Sequence, residues 1–210
     1  MKNIFKAILL TLSLCFVFSA QAQIKYGVKA GFSGSNMSGA DELLGYAGSS
    51  FDDKAKLKPG FHAGGIMQLE FEQSFFLQSE LLFSNQGLTA KSGNKSKSFN
   101  VNYLQLPVYV GFKIKTGTSL DILLGAGPYF ALGLNGSDDP ISFGGDDSKL
   151  NRFDMGIALL GGVQYNKFQF TLGYDFGLID AFDIDSQKQL QLQLSSVYNR
   201  NLKVSVGYFF

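Results

Sequence analysis

"FQFTLGYDFGL", residues 168–178, switches chemistry at every step. Phe168, Phe170, Leu172, Tyr174, Phe176 and Leu178 fall on one face of an extended chain, and Gln169, Thr171, Gly173, Asp175 and Gly177 on the other. A period of two is a strand pattern, and it recurs along the chain. In 118–134 the apolar face is Leu120, Ile122, Leu124, Ala126, Pro128, Phe130 and Leu132, set against Asp121, Gly125, Gly127 and Tyr129. In 103–113 it is Leu104, Leu106, Val108, Val110 and Phe112. Eight such segments are predicted, at 24–33, 60–71, 75–87, 99–113, 118–134, 151–165, 168–179 and 198–210, and no helical periodicity of similar length competes with them.

The connections carry as much information as the strands. Glu72-Gln73-Ser74, Lys115-Thr116-Gly117 and Asn166-Lys167 are short, whereas 34–59, 88–98, 135–150 and 180–197 are long. The two kinds alternate, long first. An even number of antiparallel strands then places the tight turns and both chain ends on one side and the long loops on the other. That is the layout of an eight-stranded, up-and-down transmembrane β-barrel with short periplasmic turns and long external loops. A sandwich with Greek-key crossovers does not sort its connections this way.

The amino-terminal region fits an exported protein. Lys2 and Lys6 precede an apolar run from Ala7 to Phe18, and the small-residue tripeptide Ala20-Gln21-Ala22 follows. This is the layout of a secretory signal peptide, so residues 1–22 are expected to be cleaved after Ala22 and 23–210 to form one domain. The run is too short for a membrane-spanning helix, which needs around 20 residues. Cys15 follows Leu14, where a lipoprotein signal has a small residue. Cys15 is the one cysteine and would be removed, leaving no disulfide or thiolate chemistry. Of 18 Lys and Arg, Lys2 and Lys6 would leave too, so 16 would face 17 Asp and Glu. A near-neutral chain without a basic cluster excludes nucleic acid as a partner. No other segment reaches 18 consecutive apolar residues, which excludes a helical membrane protein. A count of 25 Gly and 21 Phe with no Trp is unusual for a soluble domain.

The structural rival is a soluble lipocalin-type barrel, which also has eight up-and-down strands. Its apolar face lines a cup; in a membrane barrel that face meets lipid. Here the apolar faces are large and continuous, and the opposite faces hold Gly, Ser and Gln with isolated charges. Those charges are Lys25, Lys29, Lys113, Arg152 and Lys203 against Glu70, Glu80, Asp121, Asp154 and Asp175. A water-facing surface carries more charge than this, whereas a narrow interior wants few charges, balanced and paired. Eight strands leave room only for side chains to fill, so a plugged lumen is expected and an open pore is the second functional class. Tyr26, Phe71, Phe75, Phe112, Tyr165, Phe168, Tyr208 and Phe210 fall near the ends with short turns, forming an aromatic girdle at the periplasmic interface. Outer-membrane lipid is the implied surrounding.

Four stretches carry a family resemblance. "YGVKAGFSGSNMSG" (26–39), through Gly27, Lys29, Gly31 and Asn36, is similar to the first strand of the PorT-like small outer-membrane β-barrel proteins of Bacteroidetes. "FLQSELLFSNQG" (76–87) resembles their third strand through Gln78 and Glu80, with Ser79 where the family often has proline. "VNYLQLPVYVGFKI" (101–114) resembles the fourth through Tyr103, Leu104, Pro107 and Lys113, and "RFDMGIALLGGVQY" (152–165) the sixth through Arg152, Asp154 and Gly156. The resemblance implies an outer-membrane barrel of a Gram-negative bacterium, and one branch of the family is associated with a secretion apparatus. The last residues, Leu202, Val204, Val206, Tyr208 and Phe210, resemble the terminal signal by which the barrel assembly machinery recognises its substrates.

Reactive chemistry is sparse. His62 shares phase with Gln68 and Glu70 and is expected inside the barrel, bonded to a neighbour. No Gly-x-Ser-x-Gly or other nucleophile motif accompanies it, so no enzyme is expected. Asp138, Asp139, Asp146 and Asp147 crowd the third long loop, but their spacing matches no EF-hand, and the loop is expected to be a solvated turn. With no phosphate loop, zinc spacing or dinucleotide fingerprint, no cofactor or metal is expected. Leu43, Leu44 and Tyr46 are expected to cover the barrel mouth. The external loops are where a protein partner or ligand would be met.

Overall fold

The computed structural model describes residues 23–38, 58–71, 74–92, 95–137, 152–179 and 198–210. The expected signal segment, the loop residues Leu43, Leu44 and Tyr46, and the acidic loop with Asp138, Asp139, Asp146 and Asp147 lie outside the described residues. Eight strands follow one another: β1 (Gln23–Ser38), β2 (Lys58–Phe71), β3 (Phe75–Ser92), β4 (Lys95–Lys115), β5 (Leu120–Ser137), β6 (Phe153–Tyr165), β7 (Phe168–Gly177) and β8 (Tyr198–Phe209). Each pairs antiparallel with the next, and β8 pairs with β1, so the sheet closes into a barrel.

Two tight turns show their local chemistry. Asn166, in the two-residue link between β6 and β7, has φ 52°, a left-handed conformation that asparagine tolerates. Gly117, between β4 and β5, has φ 78°, where a side chain would be strained.

The register fixes the shape of the barrel. Cα partners run from Gln23 through Glu70, Phe76, Gly111, Gly125, Leu160, Gly173 and Lys203 and return to β1 at Ser33, ten residues further on. Eight strands with that stagger tilt by about 40° and leave an interior that side chains can fill. Within the walls the alternation sorts side chains strictly. Phe32, Val110, Leu124, Leu172 and Val204 are exposed on the outside, whereas Lys29, Gln78, Glu80, Asp175 and Lys203 are buried inside. Large apolar residues pointing outward suit lipid and not a soluble cup.

Strand limits depart from the sequence expectation in one place of consequence. The segment 88–98 is not a long loop. The β3–β4 ladder continues through Leu88↔Phe99 and Ala90↔Lys97 to Ser92↔Lys95, so the hairpin extends beyond the rest of the barrel. Side-chain polarity marks only the lipid-facing part of a strand, while backbone pairing continues wherever the two chains stay in register. β1 and β5 likewise run on to Ser38 and Ser137.

Candidate functional site in the barrel lumen

The interior is arranged in storeys of polar contacts. Nearest the short turns, Glu70 on β2 accepts from Lys25 at 2.8 Å and from Lys113 at 2.7 Å, and Lys113 also lies 3.2 Å from Asp121. One storey further in, Lys29 on β1 is bonded to Glu80 on β3, both almost wholly buried. Gln78 donates to the same carboxylate at 2.7 Å. Gln78 is also joined to Gln68 at 3.0 Å and accepts from Gln169 at 2.9 Å. Gln78 and Gln169 stand on β3 and β7, four strands apart in a ring of eight, so their bond crosses the full width of the lumen.

Above this, Lys203 on β8 lies 2.9 Å from Asp175 on β7, and Gln105 on β4 donates to Asp175 at 2.8 Å. Asp154 on β6 accepts from Tyr129 and from Asn199, each at 3.0 Å. Lys58, at the outer end of β2, donates to Asn85 at 3.0 Å and to the Gln86 carbonyl at 3.1 Å.

Of the ten charges predicted for the lumen, nine are thus brought inside. Arg152 is the exception. It sits exposed on the bend before β6, where its carbonyl accepts from Gly133 N–H, because β6 starts only at Phe153 and the inward alternation begins with Asp154. Lys58 takes a place in the lumen that the sequence left unassigned, since the predicted second strand began at residue 60.

Part of the interior is not polar at all. Phe76, Val101, Tyr103, Tyr109, Leu123, Tyr129, Ala131, Ala158 and Leu160 form one buried apolar cluster on β3–β6. On β4–β6 this cluster shares the interior with Gln105, Lys113, Asp121, Asp154 and Gln164, so the expectation of Gly, Ser, Gln and single charges holds there only in part. Two rings reach in against glycines. A Cβ on Gly111 or Gly125 would come within 2.7 or 3.1 Å of the Phe76 ring, and one on Gly156 or Gly177 within 2.7 or 3.2 Å of Tyr129. The signal was present in Phe76, Tyr109, Leu123 and Leu160, which occupy the inward phase of their strands.

His62 is buried, with Nε2 at 2.8 Å from Ser205 Oγ on β8. Its Nδ1 meets no partner among the described residues. The Ser205 contact ties β2 to β8, the two strands that flank β1.

On the outside, the predicted girdle residues all face outward at the short-turn end. Phe75 and Phe112 rings lie 4.7 Å apart, Phe168 and Tyr208 5.2 Å, and Tyr208 and Phe210 6.1 Å. A second ring that the sequence reading missed lies toward the long loops: Phe32, Phe61, Phe83, Phe130, Phe153 and Phe176, with Phe61–Phe83 at 6.0 Å and Phe130–Phe153 at 6.4 Å. Phe61 and Phe71 are ten residues apart on β2, about 33 Å along the strand and about 25 Å in depth once tilted, the height of an outer-membrane apolar band.

A closed barrel with an apolar belt between two aromatic rings and a polar interior defines a protein of the bacterial outer-membrane type. The outer membrane protein beta-barrel domain family matches residues 19–183, most of the chain, and the chain belongs to that family. The matched range stops short of β8, the strand that closes the ring. Among solved structures, the chain is similar to the outer membrane protein OprG from Pseudomonas aeruginosa, at 12% identity and TM-score 0.50, covering 92% of this chain and 99% of that one. It is also similar to Neisserial surface protein A, at 16% identity and TM-score 0.49, covering 90% and 99%. At such identities the likeness to OprG shows the fold alone. No curated protein matches the chain.

Proposed function

We propose that this barrel is a non-enzymatic outer-membrane protein with a plugged lumen, a structural or accessory component whose external loops meet a protein partner or ligand. The Gln78–Gln169 bond from one wall to the other carries the first part. With the Lys29–Glu80 pair and the Gln105–Asp175 bond in adjoining storeys, it fills the bore with side chains. Balanced pairs of this kind hold strands together and oppose ion entry. The loops are the remaining surface through which such a protein can act on its surroundings. A component of a secretion apparatus is one partner of this kind, on the resemblance to PorT-like barrels. Export through a signal cleaved after Ala22 and recognition of Leu202, Val204, Val206, Tyr208 and Phe210 by the barrel assembly machinery complete the reading.

Planar-bilayer recording tests it. The folded barrel should show no steady conductance, and a large, stable one would overturn the plugged reading in favour of a pore. Cross-linking in native outer membranes, with cross-linkers placed in the loops, identifies the partner.

A further inference from the structure

We infer that the lipid-facing β6–β8 wall binds one phosphorylated lipid of the external leaflet, with its phosphate on Arg200 and an acyl chain reaching down the groove to Gly161; this rests on the membrane-barrel reading above. Arg200 projects outward from β8, with Phe176 of β7 as its Cα partner. Its guanidinium carbon lies 5.4 Å from the Phe176 ring centroid and 5.9 Å from that of Tyr198. Nη1 donates to the carbonyls of Gly177 at 3.0 Å and Asn199 at 3.3 Å. These contacts hold the group at the outer aromatic ring, the depth of lipid headgroups. Among the described residues no carboxylate lies within ion-pair distance of it. A planar guanidinium fork on a fixed cation suits a phosphate.

Below Arg200, toward the membrane centre, an apolar groove of about 850 Å³ runs along the same wall, lined by Leu159, Gly161, Phe170, Leu172, Leu202 and Val204. Leu202, at the outer end of the groove, is the next outward position after Arg200 on β8, so the groove starts one side chain below the arginine. Gly161 makes the depression. The other outward positions of β6 carry Phe153, Met155, Ile157, Leu159, Val163 and Tyr165, whereas a Cβ on Gly161 would meet only Leu124 Cδ2, at 3.8 Å. A trough one side chain wide, leading away from a headgroup-level cation, fits an unbranched acyl chain. The charge and the groove together select a whole lipid and not a free anion.

The test refolds the full barrel into phosphatidylcholine vesicles, with and without phosphatidic acid, and separately with inorganic phosphate in the buffer. Thermal unfolding and lipid retention by native mass spectrometry are measured for the parent, Arg200→Gln and Gly161→Leu. Phosphatidic acid should raise the Tm of the parent and remain bound to it, and inorganic phosphate should do neither. Arg200→Gln should cut retention about fivefold, the factor expected for one arginine at an anionic surface. Gly161→Leu should reduce retention while leaving the Tm in pure phosphatidylcholine unchanged. Equal retention by Arg200→Gln overturns the headgroup site, equal retention by Gly161→Leu overturns the acyl groove, and an equal Tm gain with inorganic phosphate means a free-anion site. Failure of the membrane-barrel reading would look different, because the parent would then not insert into vesicles of any composition.

Discussion

The two walls of the lumen share a backbone plan but use different chemistry. Strands β7, β8, β1 and β2 face inward chiefly with Gln169, Asp175, Asn199, Lys203, Lys29, His62 and Gln68, while β4–β6 set a block of Tyr109, Leu123, Tyr129, Ala158 and Leu160 between Gln105, Lys113 and Asp154. From outside, the walls are alike, because lipid asks the same of both. Inside, the polar wall holds its strands through a few paired contacts that fail badly when one partner goes. The apolar wall relies on filled volume, which degrades in proportion to what is removed. β3 joins them, carrying Phe76 and Leu82 alongside Gln78 and Glu80.

Breaking the polar wall at its most buried pair should have the largest effect. Glu80→Ala leaves the Lys29 ammonium enclosed without a counter-charge, a loss of about 3–5 kcal/mol. The double variant Lys29→Met, Glu80→Leu should recover most of it. Urea unfolding in detergent, followed by heat-modifiable migration on gels, measures both. If single and double variants lose equally, the pair acts by packing and the contrast between walls collapses. On the apolar wall, Leu123→Ala should cost about 2–4 kcal/mol through the cavity it leaves, and Leu123→Met much less, by the same assay. At the cross-lumen bond, Gln169→Ala should cost about 1–2 kcal/mol, since Gln78 keeps Gln68 and Glu80 as partners. Bilayer recording of this variant shows directly whether that bond also blocks the bore. The smallest change is expected for Lys25→Ala, under about 1 kcal/mol, because Lys25 is partly exposed and Lys113 still neutralises Glu70.

The outward half of this molecule was legible from its sequence, and the inward half only in part. Phe168, Phe170 and Leu172 announce a lipid-facing stripe because a period of two is local and lipid tolerates little polarity. Which lysine meets which carboxylate is a different kind of information. Lys29 and Glu80 stand on strands two apart, and only the register of each with β2, Lys29 with Gly64 and Gly64 with Leu82, brings them within reach. Asp154 pairs with Tyr129 and Asn199 and not with a cation, and Arg152 falls outside because the first residue of β6 is set by pairing with β5. The apolar wall was hidden for a related reason. Leu123 and Leu160 fall on the inward phase of their strands but sit in stretches apolar on both faces, where phase places them and polarity does not mark them. The β3–β4 extension escaped notice because Ser96 and Ser98 pair through backbone groups to which side-chain polarity is blind.

Residues 198–210 have a consequence for how the molecule is made. β8 hydrogen-bonds to β7 on one side and β1 on the other, and Phe210 N–H reaches the Tyr26 carbonyl at 2.9 Å. Until that segment arrives, β1 and β7 both present a row of unsatisfied amides, which hydrocarbon penalises by several kcal/mol per group. A ring without β8 therefore has no stable place in the bilayer. The seam between β1 and β8 couples closure of the ring to its stability in lipid: without β8 the other seven strands expose two bare edges to hydrocarbon.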